Sequence, residues 1–233
     1  MRTPLRFRIL ALSCALPFAA CGKDESAPAP APARAPASAT KVSGDFTAAG
    51  KKIAAFEAYN NGRFADALRL YDGLLAVEPD NLDARINRAA SLGQLGRWPE
   101  ALTATDECLA RNPNDPEIHI NRSTILSELG RSEEALESVD RALALSKDLP
   151  KGLLLKATIL GKSGKADESV AIVDALVQRF PNEPGLLLEK ARMLDLVGRG
   201  ALADPIYAQL SAQFPDDPGL QAALAARNAA TAK

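Results

Sequence analysis

The sequence predicts an all-α solenoid of five 34-residue helix-turn-helix units with a short closing helix, and three observations carry that expectation. Glycines fall at 62, 96, 130, 164 and 198, each 34 residues after the last. Prolines at 79, 113, 181 and 215 keep the same interval, with Lys147 in the third slot. Small residues recur twice per period, first at Ala55, Ala89, Ser123, Ala157 and Ala191, then at Ala67, Ala101, Ala135, Ser169 and Ala203. A unit of this length cannot bury its apolar face alone, so neighbouring units must stack.

Composition agrees with helices at close quarters. The chain is 47% hydrophobic but only 5% aromatic, and Ala and Leu, both strong helix formers, dominate the apolar class. β-branched and aromatic residues, which strands favour, are sparse. With 28 basic and 29 acidic side chains the formal net charge is −1, so no global field favours nucleic acid.

The units run 48–81, 82–115, 116–149, 150–183 and 184–217. Within each, the two small positions let a pair of antiparallel helices cross closely, and a larger side chain there would push the axes apart. Around the crossing the side chains grow. Leu92, Leu126, Leu160 and Leu194 follow Ala58 at one position, and Tyr71, Val139, Val173 and Tyr207 share another with Thr105. Leu75, Leu109 and Leu143 continue the second helix's apolar stripe at helical spacing. Each repeat glycine stands where the first helix ends, in a place that favours left-handed backbone. Each proline follows the second helix, which it cannot continue. Polar residues after it, as in Glu78-Pro79-Asp80-Asn81 and Asn112-Pro113-Asn114-Asp115, suit helix entry. The fifth unit departs from the pattern, with Gly200 in a usually bulky slot and Pro205 inside the second helix, where it is expected to delay or kink the start. Residues 219–229, Ala-rich with Leu220 and Leu224 four apart, read as a capping helix.

The N-terminus reads as an export signal over residues 1–20. Arg2, Arg6 and Arg8 precede an uncharged run from Ile9 to Ala20 that is shorter than the ~20 residues a membrane-spanning helix needs. The run closes Phe18-Ala19-Ala20-Cys21-Gly22, which resembles the lipobox of bacterial lipoproteins, with a phenylalanine where an aliphatic residue is usual. The resemblance implies cleavage before Cys21, lipid attachment to it, and, with Gly22 following, an outer-membrane location facing the periplasm. Removing Arg2, Arg6 and Arg8 leaves 25 basic against 29 acidic residues, a net charge of −4. Residues 21–45 then form an Ala/Pro-rich tether, with prolines at 28, 30, 32 and 36 that exclude helix, ahead of a folded domain over 46–233.

The 34-residue period, the glycines, the paired small positions and the prolines together resemble the tetratricopeptide repeat family. That resemblance implies a right-handed superhelix whose first helices line a concave groove, and a binding scaffold rather than an enzyme. The residues themselves offer little chemistry. There is no glycine-rich phosphate loop after a strand, no Cys-x-x-Cys and no His-Glu-x-x-His. His119 is alone, whereas zinc needs three or four protein ligands, and Cys108 lies on the apolar stripe as a small hydrophobe. Trp98 shares the bulky slot with Phe64, and the pairs Glu133-Glu134 and Asp167-Glu168 favour the positive ends of second helices. No catalytic residue, metal site, cofactor or small-molecule substrate is expected.

By the resemblance, the fifth position of each repeat faces the groove: Lys52, Ile86, Ile120, Leu154 and Leu188. The sixth contributes Asn87, Asn121, Leu155 and Glu189. The candidate binding residues are therefore Ile86, Asn87, Ile120, Asn121, Leu154, Leu155 and Leu188, an apolar ladder beside two amides that suits an extended peptide or a helix. The carboxylate clamp of chaperone-binding relatives does not fit, because Phe56, Glu117 and Asn121 occupy slots where it needs Asn or cations. The expected function is a membrane-anchored adaptor for another envelope protein. The alternatives are a non-catalytic subunit of an envelope enzyme or assembly complex, and a self-associating structural repeat.

Overall fold

The computed structural model describes residues 47–147 and 149–231, the side chains of 230 and 231 excepted. The expected signal sequence, the lipid-bearing Cys21 and the tether all lie outside the described residues. Eleven helices and no strand occur among those described: α1 (Ala48–Asn60), α2 (Phe64–Leu75), α3 (Leu82–Gln94), α4 (Trp98–Arg111), α5 (Pro116–Glu128), α6 (Ser132–Leu145), α7 (Pro150–Lys162), α8 (Ala166–Arg179), α9 (Pro184–Leu196), α10 (Gly200–Gln213) and α11 (Pro218–Thr231). Each helix packs on the next, and first helices also touch across repeats, α3 with α5, α5 with α7, α7 with α9 and α9 with α11. First helices thus form the inner, concave layer of a solenoid and second helices the outer one. None of these helices is long and apolar enough to cross a membrane.

The turn inside each repeat is built the same way five times. The glycines at 62, 96, 130, 164 and 198 have φ between 72° and 80°, which an L side chain adopts only with strain. The residue after each glycine sends its N–H back five residues, Arg63 to Ala58, Arg97 to Leu92, Arg131 to Leu126, Lys165 to Leu160 and Arg199 to Leu194, at 2.7–3.0 Å. This is the Schellman closure, and it satisfies carbonyls that the helix end would leave bare. The basic residue here then opens the second helix. Arg97 and Arg131 each make two bonds to the acid three residues on, Glu100 and Glu134, at 2.5–2.7 Å.

Helix entry follows the sequence in part. Asn81 and Asp115 cap α3 and α5 through Ala84 N–H (3.0 Å) and Glu117 N–H (2.9 Å). Leu149 and Glu183 provide no side-chain cap for α7 and α9, whose entry rests on Pro150 and Pro184 in the first turn, where a missing N–H costs nothing. Three entries carry a second tie. Arg85, His119 and Gln221 each reach back six residues to a loop proline carbonyl, of Pro79, Pro113 and Pro215, at 2.6–2.9 Å.

The helix crossings are dry. Ala55, Ala67, Ala101, Ser123, Ala135, Ala157, Ser169, Ala191 and Ala203 are fully buried. The two serines exchange roles. Ser123 Oγ donates to the facing Ala135 carbonyl at 2.7 Å, and in the next repeat Ser169 donates to Ala157 at 2.8 Å. A buried hydroxyl is tolerated because it is bonded. Trp98 lies half-buried against the backbone of α3, where a Cβ on Gly93 would come 3.2 Å from its ring. Cys108 is buried, and burial pushes its thiol pKa up, as suits a small core hydrophobe.

Between repeats the seam carries a recurring ion pair. Arg88 pairs with Asp72, Arg122 with Asp106, Lys156 with Asp140 and Lys190 with Asp174, each at 2.6–2.7 Å across 16 residues. At the next seam the equivalent residues are Ala208 and Leu224, and Leu224 packs on the last apolar cluster.

The fifth repeat corrects one expectation. Pro205 neither delays nor breaks α10, which begins at Gly200 in register with α8. The adjustment lies one turn earlier. Arg199 carbonyl accepts from Leu202 N–H, three residues on, whereas Arg63, Arg97, Arg131 and Lys165 accept from four residues on. Tightening the first turn seats the proline where only one intrahelical bond is lost. Gly200 also has a use. A Cβ there would lie 3.3 Å from Arg227 Nη2 and from Asp195 Oδ1, so the missing side chain admits Arg227 of α11, which pairs with Asp195 and Asp204 and lies 5.0 Å over the Tyr207 ring.

Candidate functional site

The candidate groove residues divide sharply by exposure. Ile120 and Leu188 are 0% and 1% exposed, and Leu154 and Leu155 are buried as well. The apolar ladder expected to face a ligand is core. Ile120 packs in one cluster with Leu126, Val139, Leu155 and Ile159, and a Cβ on Gly152 would touch its Cδ1 at 3.1 Å. The absent side chain at Gly152 lets α7 close over α5, and the fifth-position residues fill the seam beneath. Only Ile86 of the ladder remains half-exposed.

The two amides stand apart from this. Asn87 on α3 and Asn121 on α5 are half-exposed, and the side chain of neither bonds to another group among the described residues. One repeat apart on successive first helices, they offer donors and acceptors to the inner face. Farther along, the sixth-position residue of α9 is Glu189, tied to Arg192 at 3.2 Å. Burial pushes the Glu189 carboxyl pKa up, and the Arg192 charge pulls it partly back. Beyond it, Tyr207 donates to Asp195 at 3.0 Å, its own pKa driven up by burial and then by that carboxylate. The face therefore changes character along its length, from unpaired amides to a closed network of charges.

Its first repeat has a different shape again. Between α1 and α3 lies an open cleft of about 560 Å³, lined by Lys52, Ile53, Phe56, Glu57, Asn60, Asn61, Tyr71 and Asn87. Ile53 and Phe56 are 61% and 57% exposed, and Tyr71 is nearly buried beneath them. The cleft exists because Lys52 holds the fifth position where later repeats have Ile or Leu. Its amine turns aside to Asp83 at 3.0 Å, and no apolar side chain of the described residues fills the seam over Tyr71.

Sequence reading placed Lys52 and Asn87 on this face but missed Ile53, Phe56 and Tyr71 as a site. A signal was present. The sixth and ninth positions are Ile53 and Phe56 in the first repeat, but Asn87 and Ala90, then Asn121 and Thr124, in the next two. Two large apolar groups in solvent-facing positions of one helix, beside a lysine in a core slot, mark an unfilled seam. Among the described residues no group of three or more His, Cys, Asp or Glu side chains comes together in a form that could hold a metal ion.

Comparison with known proteins agrees with this architecture. Residues 58–122 match the family model for the tetratricopeptide repeat. A thermophilic tetratricopeptide repeat protein of Thermus thermophilus superposes with a TM-score of 0.69 at 21% identity, over 78% of this chain and 98% of that one. A tetratricopeptide repeat protein of Parabacteroides merdae gives 0.68 at 21% identity, over 82% and 75%. PilW, described as a widely conserved type IV pilus biogenesis factor, gives 0.64 at 21% identity, over 76% and 83%. No curated protein matches the chain in sequence.

Proposed function

Taking a tetratricopeptide-type solenoid as the premise, we propose that this chain is a non-catalytic, lipid-anchored scaffold of the bacterial envelope. On its inner face it holds a segment of another envelope protein. The observation that carries the binding reading is the coincidence, on one face of the solenoid, of an open apolar cleft walled by α1 and two unengaged amides on the next two first helices. Apolar side chains exposed together over a recess mark an interaction surface more often than chance exposure. Unbonded amides beside it suit a partner whose main chain has bonds to give. The anchoring part rests on the sequence: the Arg-rich start, the short apolar run and Cys21 followed by Gly22.

Two measurements test this. Crosslinking in the native cells, with partners identified by mass spectrometry, should give one dominant envelope partner that is lost in an Asn87→Ala/Asn121→Ala variant of unchanged helicity and melting temperature. A dominant partner that survives the change moves binding off the inner face. Cys21→Ser should shift the protein from the membrane to the soluble fraction, and retention in membranes would refute the lipid anchor.

A further inference from the structure

We infer that the α1–α3 cleft receives one large apolar side chain of an extended partner segment, next to a lysine or arginine that Glu57 pairs with. This deepens the scaffold reading above and rests on it.

The apolar half follows from the lining. Ile53 and Phe56 form a wall and Tyr71 the floor, and covering them removes apolar surface from water. The charged half follows from pairing. The cleft has two charged side chains. Lys52 is already neutralised by Asp83. Glu57 lines the same cleft, is exposed, and pairs with no cation among the described residues. The unbalanced charge at the site is negative, so a cation beside the anchor is favoured and an acid is repelled.

An extended segment fits better than a helix. A helix satisfies its own main chain, leaving the amides of Asn87 and Asn121 nothing to bond. An extended chain presents a free N–H and C=O to each. Helices pack about 8–10 Å apart and extended chain advances ~3.3 Å per residue, so one repeat corresponds to about three residues. The anchor's own main chain then lies at Asn87, and the residue three places along lies at Asn121.

The test is selection from a positional-scanning library of blocked, soluble dodecapeptides by the full chain, with affinities of the best sequences measured by fluorescence anisotropy. Selection of Leu, Phe or Met adjoining Lys or Arg is expected. At least tenfold weaker binding is expected for Phe56→Ser. Glu57→Lys should weaken the selected peptides similarly and change the preferred neighbour from basic to acidic. Circular dichroism and melting temperature establish that each variant is folded. Peptides bound as tightly by Glu57→Lys, with the basic preference intact, overturn the inference. If those peptides are lost in Asn87→Ala/Asn121→Ala, the inner-face reading stands while the cleft assignment falls. If no peptide is selected at all, the scaffold reading itself fails. Tighter binding by a synthetic peptide of residues 27–46 than by any library member assigns the cleft to the chain's own preceding segment and overturns the assignment to a partner.

Discussion

Arg122 on α5 donates from Nε to Asp106 on α4 at 2.7 Å and from Nη1 to Ser138 on α6 at 2.8 Å, so one guanidinium joins three helices from two repeats. Its side chain is a quarter exposed, whereas Asp106 is half exposed. Exposed pairs contribute little, while hydrogen bonds to charged groups contribute more. Asp106→Ala should therefore lower stability by about 1 kcal/mol, read as a lower urea midpoint at unchanged m. Because repeats couple only to their neighbours, a midpoint that does not move would show that the seam is held by its apolar contacts alone.

Ala135 is fully buried at the crossing of α5 and α6, with Ser123 bonded to its carbonyl. Ala135→Leu forces the axes apart and breaks that bond, at a cost of about 1–3 kcal/mol or more. A melting temperature equal to that of the unchanged chain would refute the close crossing.

Gly200→Phe places in the fifth repeat the ring that Phe64 supplies in the first. The space is already taken by Arg227, which holds α11 to Asp195 and Asp204. Faster amide exchange confined to residues 218–229 is expected, with α1 to α8 unaffected. Uniform loss of protection would mean that α10 and α11 are not a separable unit.

Burial raises the Glu189 carboxyl pKa, so in that range the folded chain binds this proton more tightly than the unfolded one. Stability from this group is then greatest at low pH and falls as pH rises from the ordinary glutamate value through the raised one. Glu189→Gln should raise the melting temperature at about pH 7, and the gain should vanish below about pH 4. A gain independent of pH would point to packing rather than ionisation.

The architecture was readable because its determinants are local and repeat. Gly62 and its four successors fix the turn by a backbone angle, and Ala135 and its equivalents fix the crossing by size, so each leaves one letter per period. The candidate face was less readable. Ile120, Leu154 and Leu188 fall on the helix side that meets the next repeat, and only the stacking of that repeat, at Ile120 the close approach of Gly152, decides that they are core. Lys52 was visible as an exception, but the cleft it leaves depends on Asp83, 31 residues away, drawing its amine aside. Arg227 was invisible for the same reason. Its partners lie in other helices, and only Gly200, an oddity in its own repeat, hinted that something else fills that space.

The four ion-pair rungs lie on the junctions between repeats. A hairpin cannot bury its apolar face alone, so tension that parts a junction uncovers the hairpins on both sides of it. A scaffold anchored at one end and loaded at the other would thus hold its length until a junction failed, and the rungs would add to the load each junction bears.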